Sequence, residues 1–323
     1  MKPFTLDHAQ SASEAVTGLA AGATAIAGGT NLVDLLKLQI ATPDRLLSVR
    51  RTGLDAIAAD GDGLRIGALV TNADCAADAR VRQSWPLLAK AILAGASPQL
   101  RNRATTGGNL CQRTRCGYFY DTTQACNKRE PGSGCSAKDG FNRIHAVLGT
   151  SDACIATYPG DMAVAMLALD AVVHTEGPRG GREIAVGEFH LQPGDDPSRD
   201  NVLEAGELIT AVTLPAPTGG VQVYRKVRDR ASYAFALVSV AADVCMENGR
   251  IVRCTLAFGS LGTVPWRDPA VEAVLVGEAP SPALFDKAAD VLLRDARGFG
   301  ANDFKIALAR RALAATLNDA TKG

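Results

Sequence analysis

The stretch IAGGTNLVDLL, residues 26–36, joins a short apolar run to a helical pattern through a Gly-Gly turn followed by Thr and Asn. A helical pattern precedes it at 11–22 and a short strand pattern follows at 45–49. This alternation predicts a compact βαβ-like unit over residues 1–55. Glycines let the backbone approach a ligand, and amides at a helix start point toward anions, so the turn is a candidate phosphate loop.

A second stretch, RATTGGNL at 103–110, repeats the Thr, Gly-Gly and Asn chemistry. The two loops together could hold a pyrophosphate from two sides. Taken singly, each Gly-Gly pair is typical of a plain turn, and the ligand interpretation depends on the two occurring in one chain. Neither loop follows G-x-G-x-x-G or the Walker pattern, which argues against an ordinary Rossmann or nucleoside-triphosphatase site.

The rest of the chain indicates two further units. Residues 56–218 mix helix and strand patterns around an irregular Gly- and Cys-rich stretch, and GELITAVTLPAP closes this part with a strand. Residues 219–323 begin with alternating strand patterns, with a hairpin signal at ENGR (247–250), and end with two amphipathic helices. We therefore predict an α+β or α/β protein in three parts: 1–55, 56–218 and 219–323.

Composition excludes several classes. The 34 basic residues balance the 34 acidic ones, so nothing favours nucleic acid or an anionic membrane as a partner. The longest apolar stretch, 162–169, is far shorter than the roughly 20 residues of a spanning helix. The N-terminus lacks the apolar segment of a signal peptide. We expect no export signal in this chain, although it could be exported bound to a partner.

Eight cysteines are present, and five of them fall between residues 111 and 154. Four of those five, Cys116, Cys126, Cys135 and Cys154, are separated by nine, eight and eighteen residues. The C-x-x-C spacing common in structural zinc sites is absent, as is the bacterial ferredoxin run. Three alternatives stay open from the residues alone: an iron–sulfur cluster, a zinc site, or structural or free thiols. The remaining three, at 75, 245 and 254, are interpreted as buried small hydrophobes.

The residues around these cysteines are strongly basic. Three acids, Asp121, Glu130 and Asp139, lie between residues 101 and 145. The basic residues there are Arg101, Arg103, Arg113, Arg115, Lys128, Arg129, Lys138 and Arg143. Positive charge lowers the pKa of nearby thiols and stabilises an anionic cluster, so this surplus favours iron–sulfur ligation.

Three further polar residues are candidates. Asp161 follows a Pro-Gly pair and opens an apolar helix, so it is either a helix N-cap or an acceptor for ribose hydroxyls. Lys226 and Arg230 lie in a strand-like segment, where solvated charges are the safer interpretation.

Five motifs occur in a family-specific order: AGGTNL, TTGGNL, ATYPGDMAVAM, GELI with VTLP, and YRKVRDRASYAFALVSVA. The chain resembles, over essentially its whole length, the FAD-binding medium subunit of the molybdenum hydroxylases, the xanthine dehydrogenase and aldehyde oxidase family. This implies a two-part FAD-binding domain of the PCMH/CO-dehydrogenase-flavoprotein type plus a C-terminal antiparallel sheet with helices. It resembles most the branch of bacterial periplasmic aldehyde oxidoreductases, whose flavin subunit carries an extra [4Fe–4S] cluster in an inserted loop.

The resemblance assigns roles to individual residues. The first FAD loop comprises Ile26, Ala27, Gly28, Gly29, Thr30, Asn31 and Leu32. The second FAD loop comprises Thr105, Gly107, Gly108 and Asn109. Asp161 matches an acid that contacts the nucleotide, Ile209 and Lys226 match positions near the flavin ring, and the ligands of the cluster match Cys116, Cys126, Cys135 and Cys154. Cys111, next to the second FAD loop, is treated as a non-ligand, with competition with Cys116 for the ligand position left open. Ala234 stands where the family often has an acid, which departs from the pattern.

The implied function is electron transfer by an oxidoreductase subunit. A large molybdenum-cofactor subunit and a small [2Fe–2S] subunit would complete a heterotrimer, so no catalytic residue for the molybdenum step is expected here. The FAD would be reoxidised by oxygen, a quinone or a small electron carrier, and the substrates would be aldehydes. Periplasmic location by co-export is preferred over the cytoplasm. The alternatives are a non-redox subunit with a zinc-stapled loop, and a flavoprotein oxidase of the vanillyl-alcohol oxidase type, which lacks support in the residues.

Overall fold

The computed structural model describes residues 1–322. Its N-terminal unit comprises strand β1 (Thr5–His8), helix α1 (Ala12–Ala20), strand β2 (Thr24–Ile26), helix α2 (Leu32–Lys37) and strand β3 (Arg45–Ser48). The three strands are parallel in the order β1-β3-β2, the arrangement that the βαβ-like pattern predicts. The sequence pattern missed β1, because all four of its residues are exposed and carry no apolar alternation.

The second unit is built on a five-stranded sheet. Its elements are β4 (Ile57–Asp60), β5 (Gly63–Gly67), α3 (Asn72–Ala77), α4 (Ala79–Ser84), α5 (Pro86–Ala94), α6 (Pro98–Arg101), α7 (Thr106–Leu110), α8 (Gly117–Tyr120), α9 (Asp161–Ala168), β6 (Val172–Gly177), β7 (Gly180–Ala185), α10 (Val186–Phe189) and β8 (Leu208–Leu214). The strand order is β4-β5-β8-β6-β7 and every pair is antiparallel, so this unit is α+β rather than α/β.

The C-terminal unit is an antiparallel sheet covered by helices. Its elements are β9 (Val221–Val227), β10 (Val238–Glu247), β11 (Arg250–Gly259), α11 (Pro269–Leu275), α12 (Pro282–Leu293) and α13 (Phe304–Thr321). The predicted hairpin joins β10 to β11, and Asn248 and Gly249 at its turn both have positive φ, at 50° and 74°. Asn-Gly tolerates this conformation well, which is why the dipeptide marks such turns.

Helix α9 holds the second and third units together. All eight of its residues are buried, and it packs against α5 on one side and β10 and β11 on the other. A helix that is apolar all round is expected to be enclosed in this way. No helix among residues 1–322 is both long enough and apolar enough to cross a membrane.

Residues 111–154, here called the cysteine loop, contain only the single-turn helix α8 and are otherwise irregular. The C-terminal unit anchors this loop near its end. Asn302 donates hydrogen bonds to the carbonyls of His145 and Ala146, and the buried Lys305 Nζ donates to the carbonyl of His145. These bonds satisfy loop carbonyls that a helix or sheet would otherwise pair.

Candidate functional site

The first glycine loop presents unpaired backbone amides. Between the end of β2 and the start of α2 the chain turns through Gly29, whose φ is 75°. Within the described residues 1–322, the amides of residues 28–32 donate to no backbone carbonyl, and these five residues are only partly buried. Buried backbone amides are nearly always paired, so a run of free ones at a helix start forms a cradle suited to an anion.

The two glycine loops touch each other. A Cβ placed on Gly28 would overlap the carbonyl oxygen of Arg103, just before the second loop, and would lie 3.3 Å from the Cα of Ala104. Only glycine therefore fits at position 28. The contact brings together the two loops that the sequence analysis treats as one ligand site.

The second loop uses its own amides within the protein. The amides of Thr106 and Gly107 donate to the carbonyls of Val70 and Ala68, next to strand β5. The Thr105 hydroxyl caps helix α7 by accepting from the Gly108 amide. The amides of Thr106 and Gly107 are therefore engaged in pairing an adjacent chain segment and are not free for an anion. A cofactor contact by the second loop stays a prediction.

Side chains around the second loop are also ordered. Asn109 donates from Nδ2 to Asn72 Oδ1 and accepts at Oδ1 from Gln112 Nε2, both at 2.8 Å. Ile209, in strand β8, is buried and packs beside Gly107, where an added Cβ would lie 3.5 Å from the Ile209 Cβ. The structure thus places the predicted flavin-ring neighbour Ile209 directly against the second loop.

Asp161 and Lys226 form a buried ion pair. The N-cap of α9 is Gly160, so Asp161 is the first helical residue and not the cap. Its carboxylate accepts from the Tyr224 hydroxyl at 2.6 Å and from Lys226 Nζ at 2.8 Å. The side chain of Asp161 is 8% exposed and that of Lys226 is 4% exposed. The interpretation of Lys226 as a solvated strand charge is therefore wrong. Arg230 does lie at the surface, where it donates to the Tyr233 carbonyl.

The burial of Tyr224 fixes its protonation. Burial, reinforced by the charge of Asp161, raises the pKa of Tyr224 well above its ordinary value. The phenol therefore stays protonated and donates to the carboxylate. Since both oxygens of Asp161 already have donors, a ribose contact by this residue stays a prediction from the family resemblance.

The cysteine loop gathers its four predicted ligands around one cavity. Cys116, Cys126 and Cys154 are buried, Cys135 is half-buried, and Cys126 faces Cys135 across an isolated antiparallel bridge. The cavity is lined by Thr114, Cys116, Tyr118, Phe119, Ala125, Cys126, Asn127, Lys128, Cys135, Ala137, Ala153, Cys154 and Ala156. Cys111 lies outside this lining, at the end of α7. Sequence spacing alone did not require this convergence.

The four thiols line a shared cavity but are not grouped closely enough to bind one metal ion. In the part of the chain that the structure describes, residues 1–322, all eight cysteines are free of disulfides. In the same residues, no three His, Cys, Asp or Glu side chains are grouped so as to hold one metal ion. A single zinc ion needs its thiolates about 2.3 Å from one centre. An iron–sulfur cubane takes one thiolate for each iron, so its ligands stand further apart.

The basic residues of the loop do not act as the sequence analysis expects. Burial raises the pKa of the Cys116 thiol to about 12 and that of Cys154 to about 11, although Lys128 acts in the opposite direction on Cys154. The cations are engaged elsewhere: Arg113 and Lys128 both pair with Asp200. The surplus of basic residues therefore does not lower the pKa of Cys116 or Cys154, because the effect of burial on these thiols is larger.

Arg129 likewise serves the loop's backbone. Its guanidinium donates to the carbonyls of Tyr118, Phe119 and Gln124. Five fixed N–H donors allow one arginine to satisfy several carbonyls in an irregular segment. Arg129 therefore has a structural role. Its N–H groups bind backbone carbonyls that have no helix or strand partner.

Sequence reasoning missed one residue of this site, His145. Its ring is buried, with Nε2 3.1 Å from Cys116 Sγ, and Nδ1 has no hydrogen-bond partner among the described residues. Burial lowers the pKa of His145 to about 4, so the ring is neutral at physiological pH. The available signal was its position inside the cysteine-rich stretch in a chain with four histidines.

Comparison with known proteins identifies the class. Residues 2–217 match the model of the FAD binding domain in molybdopterin dehydrogenase, and residues 222–320 match the CO dehydrogenase flavoprotein C-terminal domain. The chain belongs to this family of flavin-binding oxidoreductase subunits. The resemblance drawn from the motifs, the predicted fold class and the assignment to an oxidoreductase complex are confirmed.

A full-length relative is more specific. The chain is 53% identical over 325 residues to the aldehyde oxidoreductase FAD-binding subunit PaoB of Escherichia coli, covering 99% of each protein. It is 27% identical over 291 residues to the carbon monoxide dehydrogenase medium chain of Afipia carboxidovorans, covering 88% of this chain and 84% of that one. A solved carbon monoxide dehydrogenase from Hydrogenophaga pseudoflava superimposes with a TM-score of 0.78 at 25% identity, covering 99% and 97%.

Proposed function

We propose that this chain is the FAD-binding electron-transfer subunit of a molybdenum-containing aldehyde oxidoreductase. The proposal is carried by the 53% identity, over the full length, to the FAD-binding subunit of an aldehyde oxidoreductase, and the matched FAD-binding domain is that of molybdopterin dehydrogenases. A large molybdenum-cofactor subunit and a small [2Fe–2S] subunit are its proposed partners. An FAD bound here would accept electrons from the [2Fe–2S] subunit and pass them to oxygen, a quinone or a small carrier.

The first loop fits the pyrophosphate of FAD. Its free amides at residues 28–32 can donate to phosphate oxygens, and the absence of side chains at Gly28 and Gly29 lets the backbone approach them. Ile209, packed beside Gly107, contributes an apolar surface on the second loop. When bound, FAD supplies the redox chemistry, while this chain binds the cofactor, orients it and excludes water from it.

The cysteine loop is proposed to hold a [4Fe–4S] cluster on Cys116, Cys126, Cys135 and Cys154. Support comes from the cavity that all four line and from its otherwise largely apolar wall, which includes Phe119, Ala137 and Ala156. Ligation would deprotonate the thiols and exclude water from them. A zinc-stapled, non-redox loop is the alternative.

Iron and flavin content test this proposal in the purified native complex. We expect the wild-type complex to contain about four iron atoms beyond those of its [2Fe–2S] subunit, since each thiolate binds one iron. Cys126→Ser should lose this excess and keep its FAD. Cys111→Ser is the matched control, since Cys111 lies in the same loop outside the cavity, and it should keep both.

The outcomes separate the alternatives. Zinc in place of the excess iron would favour the stapled loop and leave the flavin assignment standing. A complex with neither FAD nor excess iron would overturn the redox function itself. Loss of iron in Cys111→Ser, with retention in Cys126→Ser, would show that the ligand set is wrong.

Location in the periplasm is a further proposal, by co-export with a partner that carries the signal. Its support is the resemblance to the periplasmic branch of the family. Cell fractionation should find the chain in the periplasm when the partner is intact, and in the cytoplasm when the partner's signal segment is deleted. A chain that stays in the cytoplasm beside an exported partner would contradict this location.

A further inference from the structure

The ring of His145 is fixed against one of the four thiols. Its backbone amide donates to the Asn142 carbonyl at 2.9 Å, and its own carbonyl accepts from Asn302 and Lys305. With the main chain held on both sides and the ring buried, Nε2 stays 3.1 Å from Cys116 Sγ. No comparable side-chain donor contacts the sulfur atoms of Cys126, Cys135 or Cys154 among the described residues.

The surroundings of this sulfur favour one tautomer. Nδ1 of His145 is buried without a partner among the described residues. A proton on Nδ1 would be an unsatisfied buried donor, whereas a bare Nδ1 leaves only an acceptor unpaired. Once Cys116 is deprotonated by ligation to a cluster, its sulfur accepts a hydrogen bond and cannot donate one. The proton therefore belongs on Nε2, where it points at Cys116.

Backbone amides near the same sulfur act in the same sense. Burial raises the pKa of the Cys116 thiol, while the nearby amides of Phe119 and Tyr118 act to lower it. Within the described residues, Cys116 is the one of the four cysteines with a side-chain donor at its sulfur. Donors aimed at a ligating sulfur stabilise negative charge on it, and hydrogen bonds to sulfur are among the factors that set cluster potentials.

We infer that His145 is a positioning residue that donates its Nε2–H to Cys116 Sγ and thereby raises the reduction potential of the cluster held in the cysteine loop. The inference rests on the proposed cluster. One-electron reduction of a cluster held here would add negative charge to the sulfur and strengthen this hydrogen bond, while the proton stays on Nε2 and no covalent bond forms or breaks. The reduced state is therefore stabilised more than the oxidised one.

The test is a redox titration of the purified complex with dithionite. At each potential, electron paramagnetic resonance measures the fraction of the cluster that is reduced. In His145→Leu we expect the ratio of reduced to oxidised cluster at a fixed potential to fall about tenfold, which is a shift of about 59 mV for one electron. His145→Gln keeps an N–H donor and should restore most of the wild-type value. His174→Leu is the matched control, because His174 lies on β6 outside the cysteine loop, with its Nε2 2.9 Å from Thr213 Oγ1, and this variant should not shift the potential.

An unchanged potential in a His145→Leu complex that keeps its iron would overturn this inference alone. A wild-type complex without excess iron would overturn the proposed cluster together with it. If His145→Leu loses its iron, the hydrogen bond is tested in the wild-type complex instead. Pulsed electron paramagnetic resonance of the reduced cluster, with ¹⁵N-labelled histidine, should show a nitrogen coupling through the hydrogen bond, and its absence would refute the assignment.

Discussion

Gly28→Ala is expected to lower the affinity for FAD about 10- to 100-fold. The new methyl group would overlap the Arg103 carbonyl oxygen, so the two glycine loops would have to separate. Overpacking of this kind costs about 1–3 kcal/mol, and each 1.4 kcal/mol that falls on the bound state is tenfold in affinity. Flavin content of the purified complex, and titration of the deflavinated complex with FAD by fluorescence quenching, measure the effect.

The control is Gly117→Ala, since a Cβ at Gly117 meets no atom within 4 Å and its φ is not positive. This variant should bind FAD like the wild type. Unchanged FAD affinity in Gly28→Ala would show that the loop contact does not shape the cofactor site. It would remove the structural reason for treating the two loops as one site.

Lys226→Met is expected to lower the free energy of unfolding by about 3–5 kcal/mol. The substitution leaves the Asp161 carboxylate buried without its cation, and removing one member of a buried pair costs about this much. The midpoint of thermal unfolding should fall by roughly 4–7 °C, given the unfolding entropy expected for a chain of this length. Differential scanning calorimetry of the purified complex measures the shift.

A neighbouring ion pair supplies the control. Arg225 lies beside Lys226 on β9 and pairs with Asp319 in a half-exposed setting. Arg225→Met should cost at most about 1 kcal/mol, because solvent screens an exposed pair. An equal loss in both variants would contradict the argument from burial.

The double variant Asp161→Leu with Lys226→Met separates stability from cofactor binding. Replacing a buried pair by apolar residues is often neutral, so most of the lost stability should return. If Asp161 contacts the nucleotide as the family resemblance implies, this restored protein should still bind FAD weakly. Normal FAD affinity would assign Asp161 to the α9–β9 contact alone.

The N-terminal unit and the C-terminal hairpin were predictable because their signals are local. Alternating apolar patterns predict β2, α2 and β3, and the turn at Asn248–Gly249 needs only the conformational preference of those two residues. Strand β1 escaped prediction because its pairing partner is β3, some forty residues away, and none of its side chains is buried. Patterns reveal strands through their buried faces, and an exposed edge strand has none.

The two glycine loops could be found from their residue types, but the hydrogen bonding of their backbone amides could not be predicted. Glycine, Thr and Asn recur at both loops, so the sequence predicts the same chemistry twice. The structure leaves the amides of the first loop free and uses those of the second to pair with Ala68 and Val70. Hydrogen-bond partners contributed by a distant segment cannot be read from the loop itself.

By itself, the sequence determined the family and the fold class, because ordered motifs and residue types are properties of the chain. The ligand role of the four cysteines stays a prediction. Tertiary structure alone decided which groups meet: the Asp161–Lys226 pair, the four thiols around one cavity, and His145 at Cys116. It also reversed the expected influence of the basic residues on the thiols. Burial and long-range contact set protonation and hydrogen bonding, and both arise only when segments far apart in sequence are packed together.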